Sequence, residues 1–252
     1  MRYHCILIFL LFITGLFGQI KVQDETTKVF NVTVGESGNG TIALHNESDI
    51  SLNIRVSQVD YIYNANNDTF YLEPGKYERS NATWIKYLPS MTILPGQTVK
   101  YPFSFSVPQK AELIGSYWSV LFIEQDYYFS IDSFDDIVFN PRYAVQIIHN
   151  IVGTGVTSLS FIDTAFEFDN AILFLSNTGT KWIDANIKID IYDSTAKIIS
   201  SYTTTGNMIY PGLERQFGLR LVPLLPSEYY AVIVVDCGNN QIFGHQVNFK
   251  IR

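Results

Sequence analysis

The 252-residue chain is acidic, with 17 Lys and Arg against 24 Asp and Glu for a formal charge of −7, and it is 47% hydrophobic and 15% aromatic. It holds no clustered basic run, which excludes the electrostatic footprint of a nucleic-acid binder. Of its two cysteines Cys5 lies in the leader described next, so Cys237 alone remains, no internal disulfide can form, and stability rests on packing.

Arg2 followed by the apolar run at 6–17 reads as a secretory leader, residues 1–18, cleaved near Gly18 and Gln19. The run is shorter than the roughly 20 apolar residues a bilayer span needs, so membrane attachment is through an uncleaved leader if at all. Cys5 precedes the run instead of standing at the cleavage point, which sets a lipoprotein anchor aside. The expected location is the periplasm or cell surface.

After the leader the pattern is that of strands. Leu52, Ile54 and Val56 alternate with polar residues, as do Phe103, Phe105 and Val107, and later Ile187, Ile189 and Ile191. One face on a core and one in water is the signature of antiparallel sheets. Turn signals, among them Leu94-Pro95-Gly96, Tyr210-Pro211-Gly212 and Gly238-Asn239-Asn240, separate the strand runs. Gly35-Glu36-Ser37-Gly38-Asn39-Gly40 reads as a flexible turn, since its spacing misses the five-residue nucleophile elbow.

The chain also repeats itself. Ile93-Leu94-Pro95-Gly96 leading to Val107-Pro108 is echoed by Ile209-Tyr210-Pro211-Gly212 leading to Val222-Pro223, and the strand at Tyr117 is echoed by the one at Tyr229. Two tandem immunoglobulin-like β-sandwiches are predicted, at 19–152 and 153–252, joined by a short hinge at Gly153 and Gly155 and meeting at an angle that leaves a cleft. Leu113 before Tyr117 and Leu225 before Tyr229 resemble tyrosine corners, which makes both phenols framework. The stretch from Asn46 to Pro95 exceeds that from Asn177 to Pro211, and the surplus forms an insertion near 61–80. Its aromatic, Asn-rich part at 61–71 is either a ligand-reading loop or a long hairpin.

Enzyme chemistry lacks its residues. His45, His149 and His245 are scattered, with no zinc-ligand spacing, so no catalytic residue, metal or cofactor is predicted. Asp132, Asp135 and Asp136 form an acidic cluster without the spacing of a calcium loop and read as a solvated loop. Cys237 reads as structural. Asn-x-Ser/Thr sites at Asn31, Asn39, Asn46, Asn67 and Asn81 mark either a glycosylated surface or an Asn-rich bacterial composition.

The order Leu94-Pro95-Gly96, Val107-Pro108, Gly115-Ser116-Tyr117-Trp118, then Arg142-Tyr143-Ala144-Val145-Gln146-Ile147-Ile148, resembles the pilus-assembly periplasmic chaperone superfamily and its bacterial surface-protein relatives. The resemblance implies a non-enzymatic, chaperone-like protein that holds an exported, pilin-like or surface subunit by strand pairing along the last strand of the first sandwich, with no small-molecule substrate. The matching strand runs from Arg142 to Asn150. Tyr143, Val145 and Ile147 share one face; pointing outward they would enter a partner's groove, and pointing inward they would be core, the favoured reading. The family's cleft lysine has no clear counterpart, because His149 and Asn150 occupy its neighbourhood, leaving Arg142 and Lys100 as substitutes. An alternative is a structural or adhesive surface protein with the sandwiches as rigid spacers and the insertion reading the partner.

Overall fold

A computed structural model describes residues 19–126, 142–238 and 240–252. The leader and the acidic cluster at Asp132, Asp135 and Asp136 lie outside the described residues. No helix among the described residues is long and apolar enough to cross a membrane.

The first unit contains β1 (Ile20–Val22), β2 (Thr27–Val32), β3 (Ser37–Asn46), β4 (Leu52–Tyr63), β5 (Thr69–Leu72), β6 (Ile85–Tyr87), β7 (Ser90–Ile93), β8 (Thr98–Ser106), β9 (Ser116–Asp126) and β10 (Arg142–Ile151). One sheet has the order β1-β3-β8-β6 and the other β2-β10-β9-β4-β5, with β7 also on β4. The second unit contains β11 (Leu159–Phe166), β12 (Asn170–Asn177), β13 (Ile183–Asp193), β14 (Ile198–Ile209), β15 (Glu214–Arg220), β16 (Ser227–Asp236) and β17 (Ile242–Ile251), in sheets β11-β12-β15 and β14-β13-β16-β17. The chain is thus all-β, a pair of sandwiches with one apolar core each.

The predicted alternation is realised: Ile54 and Val56 face the first core, and Ile187, Ile189 and Ile191 the second. Both Pro-Gly turns close as expected, Gln97 N–H donating to Leu94 and Leu213 N–H to Tyr210, with Gly96 and Gly212 at positive φ. Ser37 to Gly40, expected as turn, belongs to β3. Gly38 and Gly40 stand opposite Phe105 and Phe103, and an added Cβ would come within 2.5 and 2.1 Å of those rings, so these glycines make room for aromatic packing. Both tyrosine corners form: Tyr117 accepts from Ile114 N–H at 3.3 Å and Tyr229 donates to Leu225 O at 2.8 Å.

The internal repeat reaches a pair of buried asparagines. Asn46 donates to Ile50 O and Ile93 O, and its Oδ1 accepts from Ser48 N–H at 3.0 Å. Asn177 donates to Lys181 O and Ile209 O, and accepts from Gly179 N–H at 2.9 Å. Each amide ties the end of one strand to the carbonyl that precedes a Pro-Gly turn.

The link between units is pinned. Gly115, at φ +74°, lies so close to Thr180 that a Cβ would sit 1.9 Å from its carbonyl oxygen, and a Cβ on Gly155 would sit 2.7 Å from the Gly115 Cα. Ser116 N–H donates to Thr180 O at 2.8 Å, and Trp182 N–H to Ser116 Oγ at 2.9 Å. The expected hinge is a close backbone contact.

Candidate functional site: the edge of β10 and the wall between the sandwiches

Within β10 the backbone settles the orientation of every residue. Gln146 N–H donates to Thr26 O and Val152 N–H to Val32 O, on the β2 side; Ile151 N–H donates to Gly115 O, continuing the β9 side. Because N–H direction alternates along a strand, even-numbered residues face β2 and odd-numbered ones face β9. The β2 ladder covers Gln146 to Ile151 only. Ahead of it, the N–H and C=O of Arg142 and Ala144 point to an edge that no described strand covers, whereas Ile147 N–H lies in the ladder to β9, opposite Ser119. This edge exists because the chain switches sheets: β1 pairs with β3, and only after Asp24, whose carboxylate accepts from Ala43 N–H, does β2 join β10 in parallel.

Side chains alternate likewise. Val145, Ile147 and His149 are fully buried and Tyr143 packs half-buried against the same core, so this face of β10 turns inward. His149 sits among the rings of Phe30, Trp84 and Phe105. Its Nδ1 lies 2.7 Å from Asn81 Nδ2, which also donates to Ile147 O. Its Nε2 has no hydrogen-bond partner among the described residues, and burial pulls the imidazole down to about 4. Arg142 lies on the outer face, hydrogen-bonded to Glu124, with its guanidinium 4.7 Å from the Phe122 ring centre. Lys100 is exposed on β8 opposite Ala43, in the other sheet, so Arg142 and Lys100 are not brought together.

Where the outer face meets the second unit an aromatic wall forms, and residue patterns alone did not reveal it. Trp118 and Tyr210 stack at 4.4 Å, 14° from parallel, and the Tyr210 hydroxyl donates to Gln146 Oε1. Tyr63 OH donates to Met208 O at 3.2 Å and accepts from Tyr210 N–H at 3.0 Å. Burial raises the Tyr63 and Tyr210 phenols well above the ordinary tyrosine range, so both stay neutral. Gln146 therefore joins three things: the first covered position of β10, the outer face, and the second unit.

The insertion at 61–71 is a hairpin of β4 and β5, pairing Tyr61 with Tyr71 and Tyr63 with Thr69. Its turn is held by Asn64 Oδ1, which accepts from Asn66 and Asp68 N–H, and Asn67 Nδ2 reaches Gln216 O in the second unit at 2.9 Å. Phe70 and Tyr71 remain about half exposed. Among the described residues no group of three or more His, Cys, Asp or Glu is placed to hold a metal. Burial pushes the half-buried Cys237 thiol up to about 11, an unreactive setting. Asn46 and Asn81, in two of the Asn-x-Ser/Thr sequences, are fully buried.

No protein-family model matches the chain, and no curated protein matches it. Solved structures do share its fold. The class 5 fimbriae chaperone CfaA superposes with TM-score 0.53 at 13% identity over 90% of this chain and 98% of that one. A chain from the chaperone–tip adhesin complex of CFA/I fimbriae gives 0.51 at 12% identity, with the same coverage. A chain from the CsuC–CsuE chaperone–tip adhesion subunit pre-assembly complex of Acinetobacter baumannii gives 0.50 at 10%, over 94% of this chain and 99% of that one. The chain therefore has the two-domain β-sandwich fold of the fimbrial chaperones, as the resemblance in its sequence implied.

Proposed function

We propose that this is an exported, non-enzymatic, chaperone-like protein of the periplasm or cell surface, which holds another exported polypeptide by strand addition at β10. The observation that carries the reading is the start of that strand, which no described strand covers. The N–H and C=O groups of Arg142 and Ala144 face an edge that no described strand covers, and an added strand would satisfy them in line with β2. Since Val145 and Ile147 are spent on the core and on the β9 ladder, the strand offers only the backbone of Arg142 and Ala144, and the partner's side chains would meet Ala144, Phe122 and the Arg142–Glu124 pair. The chaperones of similar fold are solved with tip adhesin subunits, which supports a subunit as partner.

Ala144→Pro removes one outward donor without touching the β9 ladder. Expressed in the native cell, the folded variant should lose at least tenfold in recovered partner while its thermal midpoint shifts by no more than a few degrees. Recovery at the level of the unaltered protein would reject strand addition here. It would favour the spacer reading, for which the half-exposed Phe70 and Tyr71 on the hairpin supply a recognition surface.

A further inference from the structure

Far from β10, the outer face of the β14-β13-β16-β17 sheet carries a row that crosses three strands, Tyr192 opposite Tyr230 opposite Asn248. The two phenol rings stack at 4.9 Å and 6°. That separation matches the spacing between neighbouring strands, so the rings stand upright as a ladder, one above each strand. At β17 the ladder stops, because Asn248 is short. The Tyr230 ring has one face on Tyr192 and the other toward this gap.

The gap is a hollow of about 430 Å³, lined by Ser194, Glu228, Tyr230, Asn248 and Lys250 and by the flanking Tyr229 and Phe249. Its rim is ordered. Lys250 pairs with Glu228 at 3.0 Å, and the turn bearing Ser194 is fixed by Asp193, whose carboxylate accepts from Thr195 and Lys197 N–H. Beneath it Phe166, Phe249 and Tyr229 stack in sequence, so the floor has no slack.

We propose that this hollow binds a pyranose ring of a saccharide. A third layer on the ladder must be flat and about one strand spacing thick, and a pyranose presents C–H bonds to the electron-rich face of a tyrosine. Its equatorial hydroxyls need donors and acceptors at the ring's edge, and the Asn248 amide, the Glu228 carboxylate, the Lys250 ammonium and the Ser194 hydroxyl supply both kinds. A purely apolar guest would leave the Asn248 amide and the Ser194 hydroxyl facing it without use, with Glu228 and Lys250 paired only to each other. The site is open at the β17 edge, so it suits a sugar within or at the end of a chain, and it is separate from the β10 edge.

The test is titration of the full chain with maltotriose, lactose and the trisaccharide of N-acetylglucosamine, followed by saturation-transfer NMR and tyrosine fluorescence. Saturable binding of at least one is expected, with its ring protons receiving transfer, at least tenfold weaker in Tyr230→Ala and severalfold weaker in Asn248→Ala. Tyr230→Phe should retain binding. Failure of all three to saturate, or binding unchanged in a folded Tyr230→Ala, overturns the proposal, as does preference for a free aromatic amino acid over every sugar. None of these outcomes bears on partner capture at β10.

Discussion

His149 gives the first unit a titration that can be followed by itself. In the unfolded chain its imidazole titrates near 6.5, and in the folded chain burial among Phe30, Trp84 and Phe105 lowers this to about 4. Above pH 6.5 both states are neutral and the full stability is present. As the pH falls through that value the unfolded chain binds a proton that the folded one refuses, so stability declines until about pH 4, by roughly 3 kcal/mol in all. Urea unfolding at stepped pH should show this slope, and His149→Gln, which keeps an acceptor for Asn81, should flatten it between 6.5 and 5. A second residue-scale expectation concerns Asn177. Its alanine variant removes the donor to the carbonyls of Lys181 and Ile209 and leaves Gly179 N–H with Ser158 O alone, and should lower the urea midpoint by the equivalent of about 2–4 kcal/mol with an unchanged slope. Asn46→Ala should do the same in the first unit. Neither asparagine announces itself in sequence, because a buried amide and an exposed one are spelled alike.

At the scale of elements, strands and turns were legible where period and turn chemistry agreed. Ile187, Ile189 and Ile191 declare one buried face without help, and Pro95-Gly96 can hardly be anything but a turn. The face of β10 was harder, since Tyr143, Val145 and Ile147 alternate equally well whether they point in or out, and only the opposing sheet decides. Gly38 and Gly40 misled for a related reason: glycine signals a turn locally, and the rings of Phe103 and Phe105 that claim the space lie over sixty residues downstream. The same strand logic separates two prolines. Ala144→Pro touches only the free edge, whereas Ile147→Pro deletes a ladder donor to β9 and should unfold the first unit, so loss of partner in that variant carries no information about binding. Circular dichroism of the two variants should show native and collapsed sheet content respectively.

For the whole molecule, the sequence predicted two sandwiches and a cleft but not how firmly they hold each other. That depends on Trp118, Tyr63, Gln146 and Tyr210, which come from four strands and their flanks and meet only in three dimensions. Of the two expected hinge glycines, Gly155 belongs to this lock, packed on Gly115, whereas a Cβ on Gly153 would meet nothing within 4 Å. Gly115→Ala forces a methyl group into the Thr180 carbonyl and also strains a positive φ. It should prise the units apart while each core survives, seen as a rise in radius of gyration by small-angle scattering and as a Trp118 emission shifted to the red; an unaltered profile would show that the units do not depend on this contact.

The change of sheets between β1 and β2 has a temporal consequence. The partner of Thr27 is Gln146, about 120 positions later, and loops of that span close slowly. During synthesis the first unit must wait for nearly its last residue before β2 can dock, so the emerging chain spends that interval with a half-built sandwich and an unclaimed border. A factor that shields nascent chains, or export in the unfolded state, would be needed to carry it through.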